Sequence, residues 1–198
     1  MYNSLYQYTN DIDWFFMCGN LPIHVASNAG LLPNNIYKVI ELQTLQIAVE
    51  NMSEDCDFEL NMPALNYYVK QHYENVEISK LNKNYTVEFE PGTDEWVKAY
   101  AWSFAKMARR GFYSFDRSLE TGLYFLVCKP KRKIETLPEI VNDFIYKFVD
   151  RLEDDILLYI NNPDSKGIPL VSFINSLEYR KRKRLNMGAG GFSCVSLS

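Results

Sequence analysis

The sequence predicts an α+β fold, in which an antiparallel or mixed sheet built from hairpins carries three to four helices mainly on one face. Three observations support this prediction. Segments with alternating apolar residues come in pairs joined by short turns. Segments with helical periodicity separate these pairs. The chain has 198 residues, of which 47% are hydrophobic and 23% charged, and this is typical of one globular domain.

The first hairpin is predicted from residues 14–17 and 23–26, which are rich in aromatic and β-branched side chains. Gly19 and Asn20 between them suit the positive φ values of a tight two-residue turn. In the second strand His24 points away from the side of Ile23 and Val25, because successive side chains alternate. We therefore expect His24 on the exposed face, as an ordinary surface residue.

Two helices are predicted next, over residues 35–52 and after Asn61, which is a candidate N-cap. A second hairpin is expected between residues 76 and 90. The clearest helix runs from Thr93, a further N-cap candidate, to Gly111, with an apolar stripe every three to four residues. Two more strands follow, over residues 112–118 and 122–130.

The apolar spacing between residues 137 and 161 predicts one long amphipathic helix, which ends at Asn162 and Pro163. Residues 168–178 fit a strand or a short helix equally well. We expect residues 1–175 to form a single α+β domain, and residues 176–198 to form a flexible, basic, glycine-containing tail.

Charge is spread unevenly along the chain. The formal net charge is −4, but residues 176–198 carry five cations against the single acid Glu178, so the rest of the chain carries −8. An acidic body repels phosphate backbones, and any nucleic-acid contact is therefore expected from the tail alone. Its cations are Arg180, Lys181, Arg182, Lys183 and Arg184.

The sequence predicts no metal site and no cofactor. The four cysteines form no C-x-x-C pair, and two histidines are too few for a centre with three histidine ligands. Widely spaced cysteines are typical of reduced thiols in the cytosol. The N-terminal residues lack the features of a signal peptide, and no run of 18 apolar residues occurs. We expect a soluble, cytoplasmic protein that does not interact with membranes.

Candidate site residues cluster in two stretches. After His24, the loop with Ser27, Asn28 and Gly30 offers a hydroxyl, an amide and a closely approachable backbone before a predicted helix, which suits an anion. In the second stretch, Asp116 and Arg117 end one predicted strand and Lys129 lies near the end of the next. These side chains are either a solvated charge set or a polar cluster that meets His24.

The leading hypothesis is a non-enzymatic binding or regulatory domain that acts through a protein partner or through self-association, since aromatic residues make up 15% of the chain and are enriched at interfaces. The alternative is a small enzyme for a nucleotide-like or anionic substrate. In it, His24 would be the acid/base with Asp116 and Arg117 in support, and Ser27, Asn28, Gly30 and Lys129 would bind the ligand. Nonspecific nucleic-acid association through residues 180–184 is the third hypothesis.

Overall fold

The computed structural model describes residues 2–33, 39–74, 94–148, 152–161, 167–172 and 174–175. The predicted hairpin between residues 76 and 90 and the tail from residue 176 lie outside this part of the chain. The helices and strands within it, in chain order, are α1 (Ser4–Thr9), β1 (Asp13–Cys18), β2 (Leu21–Ala26), α2 (Val39–Glu50), β3 (Phe58–Leu60), α3 (Met62–Glu74), α4 (Asp94–Tyr100), α5 (Trp102–Arg109), β4 (Tyr113–Arg117), β5 (Tyr124–Pro130), α6 (Glu139–Phe144), β6 (Tyr146–Phe148) and α7 (Leu152–Asn161).

The described strands form one mixed sheet, in the order β3-β5-β4-β2-β1-β6. Neighbours β3 and β5, β5 and β4, and β2 and β1 are antiparallel. The pairs β2–β4 and β1–β6 are parallel. The α+β class with a mixed sheet is therefore present, and its two parallel pairs join strands that are far apart in sequence.

The hairpin of β1 and β2 follows the prediction from its turn residues. Gly19 has a φ of 55°, in the left-handed region that glycine adopts without strain. The two-residue turn pairs Cys18 with Leu21, and the register then places Phe15 opposite His24 and Asp13 opposite Ala26. Asp13, Phe15 and His24 consequently share one face of the sheet.

Helices cover both faces of the sheet, so the prediction that they pack mainly on one face is not confirmed. Successive residues of β5 belong to different core clusters: Leu126 to one, Phe125 and Val127 to the other. The first cluster includes Leu42, Leu45 and Val49 of α2 and Ile156, Tyr159 and Ile160 of α7. The second includes Leu65 of α3, Val97 of α4 and Phe104 and Ala108 of α5.

The predicted long helix over residues 137–161 is wrong. Helix α6 ends at Phe144, and Ile145 is extended with a ψ of 130°. Residues Tyr146–Phe148 then pair in parallel with Phe16–Cys18 of β1. The aromatic and β-branched side chains in this stretch suit a strand as well as a helix, and pairing with β1 decides between them.

Other helix bounds differ less from the predictions. Helix α2 is described from Val39 to Glu50, and residues 35–38 of the predicted helix lie outside the described part of the chain. The helix predicted from Thr93 to Gly111 is divided at Ala101, although the backbone hydrogen bonds from Ala101 N to Val97 O and from Ala105 N to Ala101 O continue across the division. Of the stretch left open, residues 170–172 and 174–175 are helical and Ile168 forms an isolated antiparallel bridge with Tyr124, while residues 176–178 lie outside the described part of the chain. Helix α1 and strand β3 were not predicted from the sequence.

Candidate functional site

Polar side chains meet where the parallel strands β2 and β4 end. Because parallel strands have their carboxyl ends on the same side of a sheet, the residues that follow β2 and those that close β4 lie next to each other. Strand β1 is antiparallel to β2 and begins there. We call this region the polar end; its residues are Asp11, Asp13, His24, Ser27, Asn28, Ser114, Asp116 and Arg117.

His24 is buried, with 2% of its surface exposed, and the prediction of an exposed surface histidine is therefore wrong. Its Nδ1 lies 2.6 Å from Ser114 Oγ on the neighbouring parallel strand. Its ring lies between those of Phe15 on β1 and Phe104 on α5, with centroids 5.3 Å and 6.0 Å away. Helix α5 thus covers the histidine that the strand pattern alone leaves facing solvent.

The other ring nitrogen of His24 faces Asp13. Nε2 lies 3.1 Å from Asp13 Oδ1, which is an ion-pair distance, but the atoms are not aligned as an ordinary hydrogen bond. Burial acts to raise the pKa of Asp13, yet the charge and the polar contact of His24 outweigh it, so the pKa of this carboxyl is lowered. The side chain of Asp13 is 43% exposed, so this carboxylate connects the buried side chains of His24 and Ser114 to the surface.

Asp13, His24 and Ser114 form the carboxylate–imidazole–hydroxyl order used by enzymes with a serine nucleophile. With Nε2 protonated towards Asp13, Nδ1 would accept the hydroxyl proton of Ser114, a tautomer inferred from the contacts. However, Ser114 is 0% exposed and its strand packs under α5. A substrate carbonyl would reach Ser114 Oγ only after α5 had moved, and the contacts favour a structural role for this chain of polar groups.

Asp116 on β4 is also buried, with 4% of its surface exposed. It accepts a hydrogen bond from the Tyr100 hydroxyl of α4, and a second one, of 2.7 Å, from the backbone N–H of Arg117. Burial is the main cause that raises the pKa of Asp116 well above its usual range, and Asp11 and Asp13 nearby add to it. Burial therefore favours the neutral form of the Asp116 carboxyl over its charged form, which suits a hydrogen-bonding group inside the protein.

The loop after β2 uses its polar groups internally. Asn28 N–H donates to Asp11 Oδ1 at 2.6 Å, and Ser27 Oγ donates to the same atom at 3.4 Å. Ser27 Oγ also accepts from the N–H of Ile12 at 2.8 Å, while the Asn28 amide donates to the carbonyl of Arg117 at 2.8 Å. The anion that these donors hold is therefore Asp11 of the chain itself. Partial burial raises the pKa of Asp11, and the Asn28 N–H opposes this rise.

Arg117 packs against the loop. Its Nη1 donates to the carbonyl of Asn28 at 3.3 Å, and its side chain passes so close to Gly30 that a Cβ there would lie 2.6 Å from Arg117 Cδ. The same Cβ would lie 2.7 Å from the carbonyl oxygen of Ser27. Glycine is required at position 30 because Arg117 and the Ser27 carbonyl approach its Cα so closely. The contact between Arg117 and the loop connects the ends of β2 and β4.

The remaining predicted residues lie elsewhere. Lys129 is five residues along β5 from Tyr124, which pairs with Arg117, and this separates Lys129 from Arg117 by about 17 Å at strand spacing. It directly follows Cys128, the partner of Ser114 on β5. Its Nζ lies 3.8 Å from Glu59 Oε2 on β3, across a pair of strands. Residues 180–184 lie outside the described part of the chain.

Four residues of this network were not predicted: Asp11, Asp13, Tyr100 and Ser114. The two-residue turn fixes the register of the first hairpin, and this register already places Asp13 diagonally from His24. The sequence contains no comparable local signal for Ser114, because its pairing with β2 joins residues 90 positions apart.

A second feature is an apolar groove between α2 and α6. It encloses about 370 Å³ and is lined by Thr44, Ile47, Ala48, Asn51, Met52, Pro138 and Ile140, which we call the α2–α6 groove. Ile47 is 60% exposed and Ile140 is 50% exposed, although both are large aliphatic residues. Ile40 lies one turn before Thr44 on helix α2 and is 76% exposed.

Comparisons with protein-family models, curated protein sequences and solved structures find no match for this chain. Among the residues that the structure describes, no group of three or more His, Cys, Asp and Glu side chains is placed to hold a metal ion. The helices in the described ranges are all too short or too polar to cross a lipid bilayer.

Proposed function

We propose that this chain is a non-enzymatic binding domain, which contacts a protein partner through the α2–α6 groove. The observation that carries the proposal is that three exposed aliphatic side chains lie on the two helices that form the groove: Ile40, Ile47 and Ile140 present half or more of their surface to solvent. Clustered exposed apolar residues with polar neighbours are typical of interaction sites, whereas single ones are not.

The groove also has the shape of a helix-binding surface. Ile40, Thr44, Ile47 and Asn51 are spaced by four, three and four residues, so they form one stripe along α2. Ile140 and Phe144 are four residues apart and therefore lie on one side of α6, and Phe144 is 39% exposed. Two helical stripes with a groove between them suit an amphipathic segment that inserts apolar residues at positions i, i+3, i+4 and i+7.

The contacts of the polar end favour the groove as the functional surface. Ser27, Asn28 and Arg117 contact one another or Asp11, and Ser114 is buried against His24. Hydrogen-bonding groups that are already engaged gain little from a ligand, because each new bond replaces an existing one. An exposed aliphatic side chain gains about 25 cal/mol for each Å² that a partner covers.

The proposal is tested by selecting peptides of about twelve residues, or three helical turns, against the full chain. The groove variant combines Ile47→Asp with Ile140→Asp, and the matched control is Leu158→Asp on α7, since Leu158 is 66% exposed. We expect selected peptides to carry helically spaced apolar residues and to bind the groove variant at least about tenfold more weakly, a loss of 1.4 kcal/mol.

The control variant should bind these peptides as the wild type does. Peptides that bind the groove variant and the wild type equally well would show that the functional surface lies elsewhere. Circular dichroism of both variants excludes unfolding as the cause of a loss, since all three substituted residues are exposed.

A further inference from the structure

The charges around the α2–α6 groove restrict the segment that it accepts. Helix α2 contains two acids and no Lys or Arg, and helix α6 likewise contains two acids and no Lys or Arg. Glu139 and Asp143 flank Ile140 on α6, and Glu50 lies at the end of α2 beside Asn51; all three acids are exposed. Arg110 also lies at this end of the groove, where it donates to the carbonyls of Met52 and Glu50 and pairs with Glu54 at 2.9 Å. A groove whose rim carries more acids than cations is complementary to a segment that combines cations with apolar residues.

The chain itself contains one segment of this chemistry. Residues 176–188 carry the five consecutive cations Arg180–Arg184, with Leu177 and Tyr179 before them and Leu185 and Met187 after them. The body of the chain carries −8 and the part from residue 176 carries +4, so attraction between them is favoured at low ionic strength.

The described residues Ile174 and Asn175 lead directly into this segment. Leu170 and Ile174 belong to the same core cluster as Leu45 and Val49 of α2 and Val141 of α6. The cations Arg180–Arg184 follow Asn175 by five to nine residues, so an extended chain carries them about 17 to 30 Å from it, compared with a radius of gyration of about 16 Å for a domain of this size. The effective concentration of a tethered segment is in the millimolar range for short flexible connections.

We propose that residues 176–188 bind the α2–α6 groove of the same chain and compete there with the partner. This inference rests on the proposed function and adds regulation to it: the partner must displace a segment of the same chemistry, or that segment must be released first. Binding of the segment by a second copy of the chain is excluded by the proposal and is distinguished by the test.

The first test is paramagnetic broadening in the full chain. A nitroxide is attached to Asn186→Cys in a Cys194→Ser background, because the described cysteines Cys18, Cys56 and Cys128 are buried and protected from labelling. We expect the methyl signals of Ile47 and Ile140 to lose most of their intensity while those of Leu158 keep theirs. Raising NaCl to about 0.5 M, where the Debye length is about 4 Å, should restore the signals.

Reversal of alternate cations, with Arg180→Glu, Arg182→Glu and Arg184→Glu, should restore the same signals at low salt. Equal broadening over the whole surface, or broadening that persists in this variant, overturns the proposal. Broadening in a mixture of spin-labelled chain and separately isotope-labelled chain shows binding to a second copy and also overturns it.

The second test separates this inference from the proposed function. If the segment occupies the groove in about three quarters of the molecules, its release tightens the binding of a selected peptide about fourfold. We therefore expect the charge-reversed variant to bind the peptides more tightly than the wild type does. If peptides bind through the groove but bind the charge-reversed variant and the wild type with equal affinity, the regulatory inference alone is overturned. If the spin label broadens the groove signals but no peptide binds through the groove, the proposed function alone is overturned.

Discussion

The polar end and the α2–α6 groove differ in how their side chains are used. At the polar end, residue types common in active sites contact each other: Ser27 and Asn28 hold Asp11, and Ser114 holds His24. In the groove, ordinary aliphatic residues such as Ile47 lie exposed. Residue type alone is therefore a weak guide to function, because serine, histidine and carboxylate side chains stabilise a domain when their partners belong to the chain itself.

The largest expected effect is the loss of His24. His24→Ala removes a buried ring between Phe15 and Phe104 and leaves the Ser114 hydroxyl without its partner. We expect the free energy of unfolding to fall by about 3 kcal/mol. Urea denaturation measures this loss, with Leu158→Ala as the exposed control expected within about 0.5 kcal/mol. A loss below about 1 kcal/mol would contradict a structural role for His24.

The loop after β2 provides the next effect. Gly30→Ala places a Cβ against Arg117 Cδ and the Ser27 carbonyl, and we expect it to cost about 2 kcal/mol of unfolding free energy. Ala29→Gly is the matched control, because Ala29 has a φ of 54° that glycine adopts more easily. Thermal denaturation should show the control at or above wild-type stability. Equal destabilisation by both variants would show that the loop does not depend on close approach at Gly30.

The pH dependence of stability should differ between the two carboxyls. The pKa of Asp116 is raised, so this group lowers stability as pH rises from about 4, the pKa of an unfolded aspartate, towards the folded value. The pKa of Asp13 is lowered, so its contribution is present above about pH 4 and is lost as pH falls through the folded value.

We therefore expect Asp116→Asn to reduce the loss of stability as pH rises above about 4, and Asp13→Asn to reduce the loss below about pH 4. Each unit of pKa shift corresponds to about 1.4 kcal/mol. Asp13 is 43% exposed, and solvent screening keeps its effect below about 1 kcal/mol. Urea denaturation at several pH values measures both slopes; identical slopes for wild type and variants would contradict the two environments.

The smallest expected effect is in the groove. Ile47→Asn changes a residue that is 60% exposed, and we expect the free energy of unfolding to stay within about 0.5 kcal/mol of wild type. Leu45→Ala on the same helix is the buried comparison and should cost about 3 kcal/mol. A large loss for Ile47→Asn would show that Ile47 stabilises the domain and is not available to a partner.

Local signals predicted those parts of the fold that depend on neighbouring residues. The turn at Gly19 and Asn20 gave the first hairpin, and the paired apolar segments gave β4 and β5. The parallel pairings could not be predicted, since no local pattern states which distant strand lies beside β2 or β1. The stretch at Tyr146–Phe148 illustrates this: its spacing suits a helix, and pairing with β1 makes it a strand.

The site was predicted in part for the same reason. The sequence indicated His24, Ser27, Asn28, Asp116 and Arg117, and the structure brings the loop and the end of β4 together. It did not indicate that α5 covers His24, because helix-on-sheet packing joins segments about 80 residues apart. Lys129 was included because it is close to Arg117 in the sequence. Strand β5 runs away from Arg117, so Lys129 lies near the far end of that strand.

The parallel pair β2–β4 also has a consequence for how the protein folds. The contact between His24 and Ser114 closes a chain segment of 90 residues, and closing such a segment costs conformational entropy before the contact gives any gain. Relative contact order slows folding for this reason. During synthesis the first hairpin leaves the ribosome long before its partner strand, and His24 stays in water until β4 and α5 arrive. We therefore expect the centre of the sheet to form late and cooperatively when each new chain folds.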